Sequence, residues 1–133
     1  MAYTYVIDRE AGLVRITVTG RDTAADNERR IREIANDLAW SPGMDVLLDF
    51  TGATEVDVAP AEMEAIARMQ AGIDALIGDG SLAIVAGRDL IYGLSRMYEA
   101  IAEGKVSMKI RVFRELREGE EWLGSGRGRS VAR

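Results

Sequence analysis

The sequence predicts an α/β domain with a mixed, mostly parallel sheet of about five strands, an opening hairpin and flanking helices. Residues 13–19 alternate between apolar and polar side chains, which is typical of a strand with one buried face. Residues 45–50 and 82–86 form nearly continuous apolar runs, which are typical of strands buried on both faces. Helical periodicity fills the intervals between these runs, so the predicted element order is ββαβαβαβα.

The first two strands are predicted to form a hairpin with one buried side. Residues 3–8 alternate weakly, Ala11 and Gly12 supply a turn, and residues 13–19 alternate clearly. Gly20 is expected to end the second strand, because glycine commonly interrupts regular structure.

The first two helices are predicted at about residues 22–38 and 60–77, where apolar side chains recur at helical spacing. Asp22 or Thr23 can cap the start of the first helix, since a side-chain oxygen there accepts a bond from a free backbone N–H. Pro60 suits the first turn of the second helix, where a missing N–H costs nothing.

The remaining elements follow in the same alternation. Residues 51–59 are predicted to be a loop, and a third helix at 89–103 begins at the capping residue Asp89. The last strand is predicted at 108–113 and the last helix at 114–123. The inner stripe of the third helix is predicted to be Leu90, Leu94, Met97, Tyr98 and Ile101.

Residues 1–123 are predicted to form a single domain, and residues 124–133 a disordered tail. The tail is rich in glycine and arginine and has no apolar side chain before Val131. The chain has no apolar run long enough to span a membrane. It also lacks a secretory signal pattern, so we expect a cytoplasmic protein.

The composition makes several kinds of chemistry improbable. The chain has no cysteine and no histidine, which removes thiolate nucleophiles, serine–histidine relays and the usual metal ligands. Its net charge of −5 comes without a concentrated basic face, so nucleic acid is not an expected partner. We therefore predict no cofactor, no metal and no catalytic residue.

Residues 46–57, VLLDFTGATEVD, resemble the signature of STAS domains, the SpoIIAA-like family of anti-sigma-factor antagonists. In that family a buried strand leads through a short loop into a helix start. The element order fits as well, as does the ending Val112-Phe113-Arg114-Glu115 with Trp122-Leu123, where the last helix packs back. The resemblance covers about residues 3–123 and is greatest to the bacterial branch called STAS/SEC14-like. It implies a SpoIIAA-like fold but no activity, because members of that branch mostly lack an assigned function.

One departure from the family pattern concerns its phosphorylation switch. STAS antagonists carry at this helix start a serine that a partner kinase phosphorylates. Here Val58 occupies that position and Ala59 follows, so neither residue offers a hydroxyl. Unless Thr51 or Thr54 substitutes, we expect no phosphoserine switch.

Two predicted loops, at 51–60 and 87–89, follow buried strands and should lie near one edge of the sheet, where ligands bind in open α/β sheets. Arg88 would hold an anionic group there. In the alternative interpretation, Asp57 and Asp89 are helix caps and Arg88 pairs with a neighbouring carboxylate. The predicted ligand-binding residues are Asp57, Arg88, Asp89, Tyr92 and Arg96.

The helix at 89–103 is apolar around more than half its surface. Either the last helix covers its second side, or the helix presents an apolar patch or pocket to a partner, a lipid-like ligand or a second copy of the chain. We predict a non-catalytic binding module for a protein partner or an apolar small ligand. The alternatives are a small enzyme using carboxylates and Arg88, and a self-associating scaffold such as a homodimer.

Overall fold

The chain opens with a hairpin of β1 (Tyr3–Asp8) and β2 (Leu13–Thr23) in the computed structural model, which describes residues 2–125. The elements that follow are α1 (Ala24–Ala35), β3 (Asp45–Asp57), α2 (Pro60–Gly72), α3 (Asp74–Ile77), β4 (Ser81–Val85), α4 (Asp89–Ala102), β5 (Lys109–Phe113) and α5 (Leu116–Gly124). The five strands form one sheet in the order β1-β2-β3-β4-β5. The hairpin is antiparallel and the other neighbours are parallel, so the predicted fold class is confirmed.

Helices cover both faces of the sheet. Helices α1, α2 and α4 lie over one face and α5 packs on the other, against β3 and β4. Because side chains alternate along a strand, the central strands bury residues on both sides. The face under α5 buries Leu47, Ala83, Val85, Trp122 and Leu123.

Strands β2 and β3 continue beyond the central sheet as a two-stranded arm, in which residues 19–23 pair with residues 52–57. The predictions that Gly20 ends β2 and that residues 51–59 form a loop are therefore wrong. Gly20 has a positive φ of 68°, and the pairing register shifts between Gly20 and Arg21. The extra residue of this bulge, Thr54, lies on β3 opposite Gly20, so the pair bends without ending.

Side-chain pairs stabilise the arm and its junction with α1. Arg21 lies 3.7 Å from Glu55 and also pairs with Asp57 on the opposite strand. Thr23 caps α1, since its hydroxyl accepts a bond from the Asp26 N–H at 3.2 Å and the Asp26 carboxylate accepts one from the Thr23 N–H at 3.1 Å. The arm therefore leads directly into α1, whose first turn is stabilised by this capping box.

Two helices differ from the prediction. The helix expected at 60–77 divides into α2 and α3 after Gly72, a poor helix former. In α4, Leu90 is 74% exposed and Met97 is 38% exposed, whereas Ile91 and Ser95 are buried. Leu94, Tyr98 and Ile101 of the predicted inner stripe pack inward, but Leu90 and Met97 do not, because a helix that is apolar on most sides does not define its own buried side. Contacts with α2 and β5 define it.

Helix α5 reaches Gly124, one residue past the predicted domain boundary. Residues 126–133, which make up most of the predicted tail, lie outside the described residues. Among residues 2–125, none of the helices combines the length and the apolar character needed to cross a membrane.

Candidate functional site

A cavity of about 130 Å³, partly open to solvent, lies between the sheet and helices α1, α2 and α4. Most of its lining side chains are apolar and come from all three helices and the central strands. Its volume approaches that of an engineered apolar cavity of about 150 Å³ that binds benzene or xenon. Its apolar lining residues include Trp40, Leu48, Phe50, Met63, Ile66, Leu94 and Met108.

The cavity separates two clusters of packed side chains. One cluster is built on the sheet and includes Leu48 and Phe50, and the other includes Val58, under α2 and α4. Ile31 of α1 and Val56 of the arm contact both clusters and line the cavity. The arm that the sequence did not predict therefore supplies part of the cavity wall.

Gln70, Ser95 and Tyr98 form a polar group in the cavity wall, on α2 and α4. The Tyr98 hydroxyl donates a hydrogen bond to Oε1 of Gln70 at 2.6 Å. Burial raises the pKa of the Tyr98 hydroxyl well above its ordinary value, which keeps it protonated and neutral. Gln70 and Ser95 are only 4% and 6% exposed. Within residues 2–125, neither Nε2 of Gln70 nor Oγ of Ser95 has a hydrogen-bond partner.

A second polar group lies on the α1 side of the cavity. Nη1 of Arg30 is 2.9 Å from Oδ1 of Asp22, and Nη2 of Arg30 donates to Oδ1 of Asn27 at 2.6 Å. Asp22 and Arg30 are both buried. Arg30 and Asn27 line the cavity, and Arg30 is the one charged side chain among the described lining residues. Because the Asp22 carboxylate neutralises the Arg30 guanidinium, the cavity wall carries no net charge.

Four of the five predicted ligand-binding residues lie on α4 or at its start. Asp89 pairs with Arg114 at 2.6 Å, and the same guanidinium lies 4.1 Å from the centre of the Tyr92 ring. Arg96 pairs with Glu99 at 3.0 Å, and the hydrogen bond that Arg96 donates to the Tyr92 hydroxyl, together with that carboxylate, raises the pKa of Arg96. This group is a surface network of paired charges.

Asp57 and Arg88 complete the predicted set. Asp57 pairs with Arg21 on the arm, and Arg88 is the exposed residue preceding α4. No hydrogen bond or ion pair between described residues links Asp57 to the other four predicted residues. Asp57 and Asp89 are not the N-cap residues of α2 and α4, so the alternative capping roles are wrong. None of the five lines the cavity.

The outer side of α4 carries the exposed apolar residues Leu90 and Met97, one heptad apart. Both residues belong to the stripe that the sequence predicts to face inward, so the apolar patch expected to bind a protein partner or a second copy of the chain was not predicted at these residues. Both partners stay predictions.

The polar residues of the cavity were not among the predicted ligand-binding residues. They are Asn27, Arg30, Gln70, Ser95 and Tyr98. One signal was visible for Gln70, which stands in the apolar stripe of the predicted second helix. A polar side chain on a buried stripe is more informative than a charged one near a loop, because it must find a partner inside the protein.

No protein-family model matches the chain, and no curated protein matches it significantly. Among solved structures, the chain is similar to the crystal structure of an uncharacterized protein of the DUF3478 family with a SpoIIAA-like fold, from Shewanella loihica PV-4. The two chains are 17% identical with a TM-score of 0.57, over 92% of this chain and 94% of the other. In fold, this chain is therefore a SpoIIAA-like domain, as its resemblance to STAS domains implies.

Proposed function

We propose that this chain is a non-catalytic binding module that holds a small apolar molecule between its sheet and helices α1, α2 and α4. The observation that carries the proposal is the cavity of about 130 Å³ with a largely apolar wall. Native interiors are close-packed and contain few spaces larger than a water molecule. A space of this size loses packing energy, and an apolar molecule that fills it restores those contacts.

The cavity wall has a side close to solvent that gives a ligand a route inside. Ile31, Val56, Leu94 and Tyr98 line the cavity and are also partly exposed. These side chains come from α1, the arm and α4, so the cavity opens to solvent between these elements.

The position that carries the phosphorylated serine in STAS antagonists also supports a binding role. Val58, which occupies it, is buried and lines the cavity. Thr51 and Thr54 lie within β3, away from any helix start that would stabilise a phosphate. The side of the fold that serves as a switch in antagonists contributes here to an apolar space.

The alternative of an enzyme that uses carboxylates and Arg88 has less support. Such an enzyme needs a desolvated carboxylate next to Arg88. The Asp57 side chain is 53% exposed and pairs with Arg21, and Asp89 is exposed and pairs with Arg114. These contacts describe solvated ion pairs of the ordinary surface kind.

Benzene tests the proposal in a thermal unfolding experiment. A ligand that binds only the folded state raises the free energy of unfolding, by about 2.7 kcal/mol when its concentration is 100 times its Kd. We expect benzene to raise the Tm of the wild-type chain and to have no such effect on Leu94→Trp, whose indole ring occupies the cavity.

The matched control is Leu38→Trp, the same substitution at a residue that is 99% exposed and does not line the cavity. Its response to benzene should equal that of the wild type, and circular dichroism should show that both variants fold. The proposal fails if benzene leaves the wild-type Tm unchanged, or if it stabilises both variants equally.

A further inference from the structure

We infer that the cavity selects a small, neutral molecule with an apolar body and one hydroxyl or carbonyl group. The inference rests on the proposed function and adds the chemical class of the ligand. Size sets the first requirement, because about 130 Å³ accommodates a single six-membered ring.

Unpartnered polar atoms set the second requirement. Nε2 of Gln70 can donate two hydrogen bonds, and Oγ of Ser95 can donate one and accept one. Both residues are more than nine-tenths buried and line the cavity, and neither atom has a partner within the described part of the chain. Neither atom is fully enclosed, so a ligand in the cavity that supplies an acceptor can give these donors a partner.

These polar groups lie on the facing helices α2 and α4 in the same cavity wall. Ser95 and Tyr98 are three residues apart on α4 and therefore lie on the same side of the helix. Tyr98 in turn contacts Gln70 of α2 through its hydroxyl. A hydroxyl or carbonyl oxygen placed between α2 and α4 would face all three side chains, with the apolar body of the ligand turned toward the sheet.

Charge sets the third limit. Arg30 is buried and already paired with Asp22 at 2.9 Å, and its Nη2 also bonds Asn27. An anionic ligand would lose its hydration without gaining an unpaired cation, and that loss is large for a carboxylate. The ligand is therefore neutral.

Three probes of similar size separate these requirements: benzene, phenol and benzoate. Binding is measured by titration of backbone amide signals in heteronuclear NMR spectra at pH 7, where benzoate is ionised. We expect phenol to bind roughly 3- to 10-fold more tightly than benzene, the gain from one or two added hydrogen bonds. Benzoate should not shift the signals of cavity residues.

The double variant Ser95→Ala with Gln70→Leu, built in a Tyr98→Phe background, tests the assignment of the polar group. Its ratio of phenol affinity to benzene affinity should fall to about one, and circular dichroism should show that it folds. Equal binding of phenol and benzene to the wild type, binding of benzoate in the cavity, or an unchanged phenol preference in the double variant would each overturn the inference. If neither benzene nor phenol binds the wild type, the proposed function itself fails.

Discussion

Replacement of Gly80 with alanine is expected to lower the free energy of unfolding by about 3 kcal/mol, because the added methyl group meets rigid backbone. A Cβ atom at Gly80 would lie 2.3 Å from the carbonyl oxygen of Met44 and 2.7 Å from that of Gly43. Neither atom can rotate away as the end of a side chain can. The segment before β3 must therefore move away from the start of β4, which disturbs the packing of two central strands.

Gly93→Ala provides the matched control in equilibrium urea unfolding. Gly93 is exposed in the middle of α4, and nothing lies within 4 Å of a Cβ atom built there. Alanine should raise the free energy of unfolding by about 0.5–1 kcal/mol, since it restricts the unfolded chain and favours helix. A Gly80→Ala variant whose stability lies within about 1 kcal/mol of the wild type would contradict the close approach described.

The buried pair of Asp22 and Arg30 is the second feature whose loss should have a large effect. Arg30→Met is expected to reduce the free energy of unfolding by about 3–5 kcal/mol, because it leaves a buried carboxylate without its cation. The pair is bidentate, with distances of 2.9 and 3.3 Å, and both side chains are almost wholly buried.

Two further variants distinguish the effect of an unpaired buried charge on stability from the effect of losing any arginine. Arg29→Met removes the neighbouring arginine, whose side chain is half exposed and pairs with Asp26 at 3.3 Å, and should cost less than about 1 kcal/mol. Asp22→Leu combined with Arg30→Met should be more stable than Arg30→Met alone, since no unpaired charge remains. Equal losses for Arg29→Met and Arg30→Met would show that the buried pair has no special role.

Patterns with a local cause were predictable from the sequence. Continuous apolar runs at residues 45–50 and 82–86 identify the central strands, because only strands covered on both faces are apolar throughout. Alternation in residues 13–19 identifies the hairpin, and Thr23 was one of two expected caps. These features, together with the resemblance to STAS domains, were sufficient to predict the fold class.

Features that depend on distant contacts were not predictable in this way. Gly20 suggests a strand end, and only the pairing with β3 shows that β2 continues past it. The rotation of α4 is fixed by its neighbours, so the exposure of Leu90 and Met97 could not be derived from the pattern.

The candidate site was missed for a similar reason. Its polar residues, Asn27, Arg30, Gln70, Ser95 and Tyr98, are spread over three helices and meet only in the folded chain. The predicted binding residues were instead mostly charged residues near predicted loops. In the structure these form surface pairs, such as Asp89 with Arg114.

Crystallography under xenon pressure tests most directly whether the space between the sheet and helices α1, α2 and α4 accepts an apolar guest. Xenon binds dry apolar cavities of this size without needing a polar contact. We expect one xenon site inside the cavity, surrounded by Leu48, Met63, Ile66 and Leu94. An empty cavity in crystals whose surface sites bind xenon, or side chains closed over the space, would contradict the proposed binding function.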